Sequence, residues 1–203
     1  MTARLVVLAS GSGSNLQVVL DACADGRLDA DVVLVVTNRR SARAGERARN
    51  EGIPTQFRPM GPYLAAFGDA RVAREAYDAD LAGLVADTDP DIIVQAGWMH
   101  LFTNSFLDRV PANVVNLHPA LPGEFPGATA IDDAWAAHLD AGLDHTGVMV
   151  HLVPDEGVDN GPVLASREVP ILASDTREML EERIRGVEHE VLVAAIADLL
   201  AVR

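Results

Sequence analysis

Three apolar runs rich in β-branched residues, Arg4–Ala9, Asp31–Thr37 and Asp91–Ala96, lack the in-out alternation of a sheet with one wet face. Strands of near-continuous Val, Ile and Leu are buried on both faces, as in a parallel sheet covered by helices. Helical patterns fall between them near Leu16–Asp25, Ala42–Glu51 and Arg71–Ala86, with a short extended piece at Thr55–Arg58. Further on, Val114–Leu117 reads as a strand, Ala128–Leu139 as a helix, and Val148–Val153 and Pro162–Val169 as two more strands. The turn-rich link Pro154–Gly161 is too short for a crossover helix, so these last two strands are expected to be an antiparallel addition. Thr176–Val202 reads as one long helix, with Ser174 or Asp175 as its cap. No repeat or linker divides the chain. The expectation is therefore a single α/β domain, residues 1–203: a mostly parallel, twisted, Rossmann-like sheet with helices on both faces, antiparallel strands toward the C-terminal part and a long final helix.

Composition narrows the chemistry. The chain has 203 residues, 49% of them hydrophobic, which is enough for a substantial core. No apolar stretch is long enough for a membrane span, and the N-terminal run has strand length rather than that of a secretory signal. Cys23 is the single cysteine, so no internal disulfide forms, which fits a reducing, cytoplasmic setting. The net charge of −14 argues against a nucleic-acid partner, which needs a basic surface to displace counterions. All sixteen basic residues are arginine. Without lysine there is no Schiff-base chemistry and no Walker A loop. Any anion site must be local, built from backbone amides, helix N-termini and a few arginines.

In parallel sheets of this kind ligands bind at the carboxyl ends of strands. Three segments lie there: Gly11–Asn15, Gly97–Phe102 and His118. Gly11-Ser12-Gly13-Ser14-Asn15 suits a phosphate cradle, or else an ordinary strand-to-helix turn with a serine cap; Leu16 stands where a dinucleotide fingerprint needs its third glycine. Asn116 and His118 alternate on one strand, so both side chains point to the same side. An amide and an imidazole side by side suit acyl transfer, in which both stabilise an oxyanion; a polar pair satisfied within a loop network is the alternative. Asp159, in Val-Asp-Asn-Gly-Pro, reads locally as a turn residue. His138, His145 and His151 lack metal-ligand spacing, and no metal site is expected. His151 reads as a hydrogen-bonded strand residue, and Glu188-His189 as a polar pair facing a cleft or water.

Taken in order, Val6–Gln17, Ala73–Asp78, Asp91–Met99, Asn116–Leu121, Phe125–Gly127, His145–His151, Val158–Val163 and Val187–His189 resemble the phosphoribosylglycinamide formyltransferases (glycinamide ribonucleotide transformylases), folate-dependent enzymes of purine synthesis. The likeness runs from about Leu5 to Leu199. It implies that 10-formyltetrahydrofolate donates a formyl group to the amine of 5-phosphoribosylglycinamide. On the matching positions, Asn116 and His118 would stabilise the oxyanion, while Asp159 would raise the pKa of His118 and help move protons. Gly13, Ser14 and Asn15 would hold the substrate phosphate, and Glu188 its sugar or glycinamide end. Met99, His100, Leu101, Phe102 and Asn116 would line the folate pocket, with the Pro154–Asn160 loop closing over the pterin and Arg74 on the folate side.

Three positions depart from the commoner pattern. His100 stands where arginine is frequent, so a cationic contact to the folate is expected to be weaker or pH-dependent. Thr129 stands where histidine is frequent and carries no role. Leu121-Pro122-Gly123-Glu124 has its proline one residue early, leaving the local backbone path open. Small molecules are the expected partners, with no nucleic acid and no membrane, and a monomer or homodimer. A formyltetrahydrofolate deformylase-like hydrolase shares the Asn-His-Asp set, and a non-catalytic nucleotide-binding module shares the sheet. Phosphate loop and intact triad favour the transferase over both.

Overall fold

The computed structural model describes residues 2–202, in which seven strands are hydrogen-bonded side by side in the order third, second, first, fourth, fifth, sixth and seventh along the chain. The chain divides into two compact units, one of residues 1–115 with 154–156 and the other of residues 116–153 with 157–203. The first holds β1 (Ala3–Ala9), α1 (Ser14–Ala24), β2 (Ala30–Thr37), α2 (Ala44–Asn50), β3 (Thr55–Phe57), α3 (Gly61–Phe67), α4 (Ala70–Ala86), β4 (Ile92–Gln95) and α5 (Asn104–Leu107). Strand β5 (Asn113–His118) begins in the first unit and ends in the second. The second continues with α6 (Ala130–Ala141), β6 (His145–Leu152), β7 (Val163–Pro170) and α7 (Arg177–Ala201).

Strands β2 and β4 both pair with β1 in parallel, and β3 pairs with β2 in parallel. The apolar runs explain this: Leu5–Ala9, Leu34–Val36 and Ile92–Val94 are buried along their whole length. In the second unit β6 and β7 form the antiparallel pair expected from their short link. Helix α7 packs on both, burying Leu180, Ile184, Leu192 and Ile196.

Three local details differ from the sequence expectation. Helix α7 is capped by Thr176, whose side chain accepts from Met179 N at 3.3 Å. Asp175 is engaged elsewhere, accepting from Leu172 N and pairing with both terminal nitrogens of Arg183 at 2.6 and 2.7 Å. That arginine pair, with the Leu172 amide, lowers its carboxyl pKa to about 2. Helices α3 and α5 carry too little pattern to be seen: α3 buries no residue and α5 is four residues long. Helix α1 starts at Ser14, two residues earlier than its apolar stripe suggests. Among the described residues no helix is long and apolar enough to cross a membrane.

Gly13 caps α1 in a left-handed conformation, φ 74°, and a Cβ there would sit 2.7 Å from the Cα of Ala44. Gly26 is also left-handed, φ 82°, but has open space around it. Gly13→Ala should therefore cost roughly 3 kcal/mol, adding a steric clash to the left-handed penalty, and Gly26→Ala only about 1 kcal/mol. Urea unfolding of the two variants measures the difference, and equal losses would contradict the close packing of α1 on α2.

Candidate active site

Four polar side chains meet in the second unit. Asn116 and His118 come from β5, where period two puts them side by side and Pro119 ends the strand. His151 comes from β6, and Asp159 from the turn before β7. The turn reading of Asp159 and its place in this cluster are compatible. Its φ of 50° is the left-handed conformation that Asp tolerates in turns, and that turn brings its carboxylate onto the strand residues.

Asp159 lies at the centre. Its Oδ1 accepts from Asn116 Nδ2 at 3.1 Å, and its Oδ2 accepts from the backbone N–H of Gly127 at 2.8 Å. His118 Nδ1 stands 3.4 Å from Oδ2 and His151 Nε2 stands 3.4 Å from Oδ1. His118 and His151 are each 3% exposed, so water screens little of this. His118 Nε2 donates to the carbonyl of Phe125 at 3.0 Å; a carbonyl only accepts, so Nε2 carries the proton. Phe125 too is a left-handed non-glycine residue, φ 41°. Both residues that hold the His118 ring thus sit in uncommon backbone conformations, which cluster at functional sites.

The path of Leu121–Glu124, open from sequence, is now defined. Leu121 lies so close over Gly147 in β6 that its Cδ2 is 2.3 Å from where a Cβ would stand. Glu124 N–H closes a turn onto the Leu121 carbonyl at 3.0 Å, with Gly123 at φ 83°. This turn precedes Phe125 and Gly127, the two backbone partners of the polar cluster.

Asp159 pulls the His118 pKa upward as expected, but the net shift runs the other way. Burial pushes His118 below the ordinary imidazole value, and the upward pull of Asp159 and of the Phe125 carbonyl does not offset it. His118 is neutral at neutral pH rather than held charged. Burial pushes Asp159 upward, but its contact with His151, the Gly127 hydrogen bond and nearby His118 outweigh that, and it remains a carboxylate. The cluster thus holds a proton acceptor and a fixed negative charge side by side. Among the described residues no group of His, Cys, Asp and Glu is placed to hold a metal ion.

The remaining candidates of the first unit follow β1 and β4. Gly13 turns the chain into α1, whose first intrahelical bond runs from Gln17 N to Gly13 O at 2.9 Å, leaving the positive helix end at Ser14 and Asn15. Gly13 rather than a serine forms the cap. Arg47, unmarked in the sequence reading, donates from Nε to the Ser12 carbonyl at 2.9 Å and from a terminal nitrogen to Gln17 at 3.1 Å. The arginine-rich stretch Arg39–Arg49 was the available signal for it.

The segment after β4 is tied down at several points. Met99 N–H donates to Ser10 Oγ at 3.0 Å, Arg74 donates to the Leu101 carbonyl at 2.5 Å, and wholly buried Asp78 accepts from Thr103 N and Oγ1 at 2.7 and 2.8 Å. Met99 and Leu101 are exposed. Phe102 is not: it is 3% exposed and stacked on Phe106 at 3.9 Å. His100 packs edge-on against Tyr77 and Trp98. Burial first, then the charges of Arg74 and Arg39, push its pKa down to about 4, so it is a neutral ring at physiological pH. Thr129 donates to Asp133 at 2.7 Å just ahead of α6. Glu188 is half-buried on α7 in the second unit.

Comparison with known proteins gives the family. The family model described as formyl transferase matches residues 3–196. A phosphoribosylglycinamide formyltransferase of Schizosaccharomyces pombe is 44% identical over 98% of both chains. One from Mycobacterium tuberculosis is 42% identical over 97% of this chain and 85% of its own. The crystal structure of glycinamide ribonucleotide transformylase 1 from Geobacillus kaustophilus superposes with a TM-score of 0.85 at 38% identity, covering 98% of this chain and all of that one. With a family model along nearly its whole length and full-length relatives well above 30% identity, the chain belongs to the formyl transferase family, among the phosphoribosylglycinamide formyltransferases.

Proposed function

We propose that this chain transfers the formyl group of 10-formyltetrahydrofolate to the amine of 5-phosphoribosylglycinamide in de novo purine synthesis, in the cytoplasm, with residues 1–203 acting as one formyltransferase domain. The observation that carries the mechanism is the buried contact of neutral His118 with ionised Asp159 beside the Asn116 amide. The family model running across both compact units supports the single domain.

Formyl transfer to an amine forms one C–N bond and breaks another. As the amine attacks, the carbonyl pair moves onto oxygen, and the attacking nitrogen must lose a proton that the leaving nitrogen gains. Asn116 Nδ2–H and His118 Nε2–H are the donors for the oxygen. In the resting geometry the first is committed to Asp159 and His151 and the second to Phe125. The developing negative charge must therefore draw a donor away from an existing partner. His118 Nδ1 and Asp159 Oδ2, 3.4 Å apart, form the station where the amine's proton rests before it moves to the leaving nitrogen. Neutrality of His118 serves this step, because a ring already charged takes no proton.

Substrate contacts follow the residues. The turn at Gly13 and the positive end of α1 at Ser14 and Asn15 suit a phosphate, in a chain whose net charge gives anions no long-range help. Glu188 contacts the sugar or glycinamide end. For the folate, exposed Met99 and Leu101 offer apolar cover, Asn116 faces the formyl end, and Arg74 provides the cationic side. His100, being neutral, supplies a ring surface rather than a charge. The folate brings the formyl group and the leaving nitrogen.

His118→Ala and Asp159→Ala should each lower kcat at least about a hundredfold; near-normal turnover in either variant contradicts the mechanism. The titration of His118 is a separate check. Its folded pKa lies below the ordinary ~6.5, so the neutral ring persists as pH falls and is lost only below that value. Because Asp159 pulls upward, Asp159→Asn should lower the NMR midpoint of His118 further. A wild-type midpoint above ~6.5 would show that the carboxylate, not burial, dominates.

A further inference from the structure

We infer that His151 is a positioning residue for the formyl transfer: its Nε2 accepts one proton of the Asn116 side-chain amide and holds that amide in its donating orientation. The inference rests on the reading of Asn116 as an oxyanion donor.

His151 is buried in β6, 3% exposed. Its Nδ1 lies 2.8 Å from the carbonyl oxygen of Leu152, and only a protonated nitrogen bonds a carbonyl. In a neutral ring Nε2 is then bare, and it stands 3.2 Å from Asn116 Nδ2. The second Asn116 proton goes to Asp159 Oδ1 at 3.1 Å. Each alternative fails on chemistry. A proton on His151 Nε2 instead of Nδ1 sets two donors face to face and turns the Nδ1 lone pair against a carbonyl. An Asn116 amide turned over sets its oxygen against a carboxylate and a bare imidazole nitrogen. With a neutral His151 ring the network therefore has one self-consistent arrangement, and His151 is one of the two acceptors that impose it.

Two acceptors pin the NH2 group at two points; with Asp159 alone it is held at one and its aim is lost. His151 is also the partner suited to exchange. A neutral imidazole nitrogen is a weaker acceptor than a carboxylate or an oxyanion. When charge develops on the formyl oxygen, the Asn116–His151 bond is the one traded for it, while the Asn116–Asp159 bond keeps the amide in place. Removing His151 therefore affects the rate of the chemical step and leaves substrate binding alone.

The test combines kinetics with a spectroscopic signature. His151→Leu, which keeps bulk and removes the acceptor, should lower kcat about tenfold with the KM of both substrates within about twofold. His151→Gln, which restores an acceptor oxygen, should recover most of that loss. In an Asn116→Ala background, His151→Leu should cost little more, because the group it positions is gone. In the wild-type protein, 15N NMR of the imidazoles should show His151 protonated at Nδ1 and bare at Nε2, a readout independent of how any variant folds. Undiminished kcat in folded His151→Leu, a full tenfold loss persisting without Asn116, or a proton on Nε2 each overturns the inference. If Asn116→Ala lowers kcat and His151→Leu does not, the positioning role alone fails. If Asn116→Ala itself leaves kcat unchanged, the oxyanion role beneath it fails.

Discussion

The second unit depends on one buried charge. Asp159 has only 9% of its side chain exposed, and an ionised carboxylate taken out of water costs several kcal/mol unless its oxygens are met. They are met: one by Asn116, the other by the Gly127 amide, with an imidazole 3.4 Å from each. The two donors are thereby placed: Asn116 must offer its nitrogen, and the Phe125–Gly127 turn must come close enough to donate. The two histidines lie beside the charge through their own bonds, His118 to Phe125 and His151 to Leu152 and Asn116.

That dependence explains why the cluster was only partly legible in the sequence. Asn116 and His118 could be paired from strand period alone, because β5 is regular. Asp159 could not, since nothing in the spacing of residues 116 and 159 brings them together; only resemblance did. His151 read as a hydrogen-bonded strand residue, and it is one, but its partners are Asn116 and the Leu152 carbonyl. A strand pattern tells which face a residue takes and is silent on what comes to meet it. The upward pull of Asp159 on His118 was legible and its being outweighed was not, for a related reason: a neighbouring carboxylate is visible in a motif, whereas burial to 3% exposure is visible only in the fold.

The fold itself was legible where burial is two-sided. The runs that became β1, β2 and β4 are buried over most of their length, and their apolar character showed in the sequence. Elements that bury little left no trace: α3 buries no residue, and α5 is a single turn. The cap of α7 was misplaced by one or two residues; Asp175, a good capping residue by type, is drawn away by Arg183. The Gly13 turn was read as a cradle for chemical reasons; the structure adds a steric one, the approach of Ala44 that excludes a side chain.

Formyl transfer to a phosphorylated amine is the claim on which these features converge. It is tested most directly by supplying the purified protein with 10-formyltetrahydrofolate and 5-phosphoribosylglycinamide and following both the folate product and the formylated amine. The account predicts that the two appear together, one for one, and that little folate product forms when the amine is withheld. Formate release at the same rate with or without the amine would contradict it and would mark the chain as a hydrolase of the formyl donor.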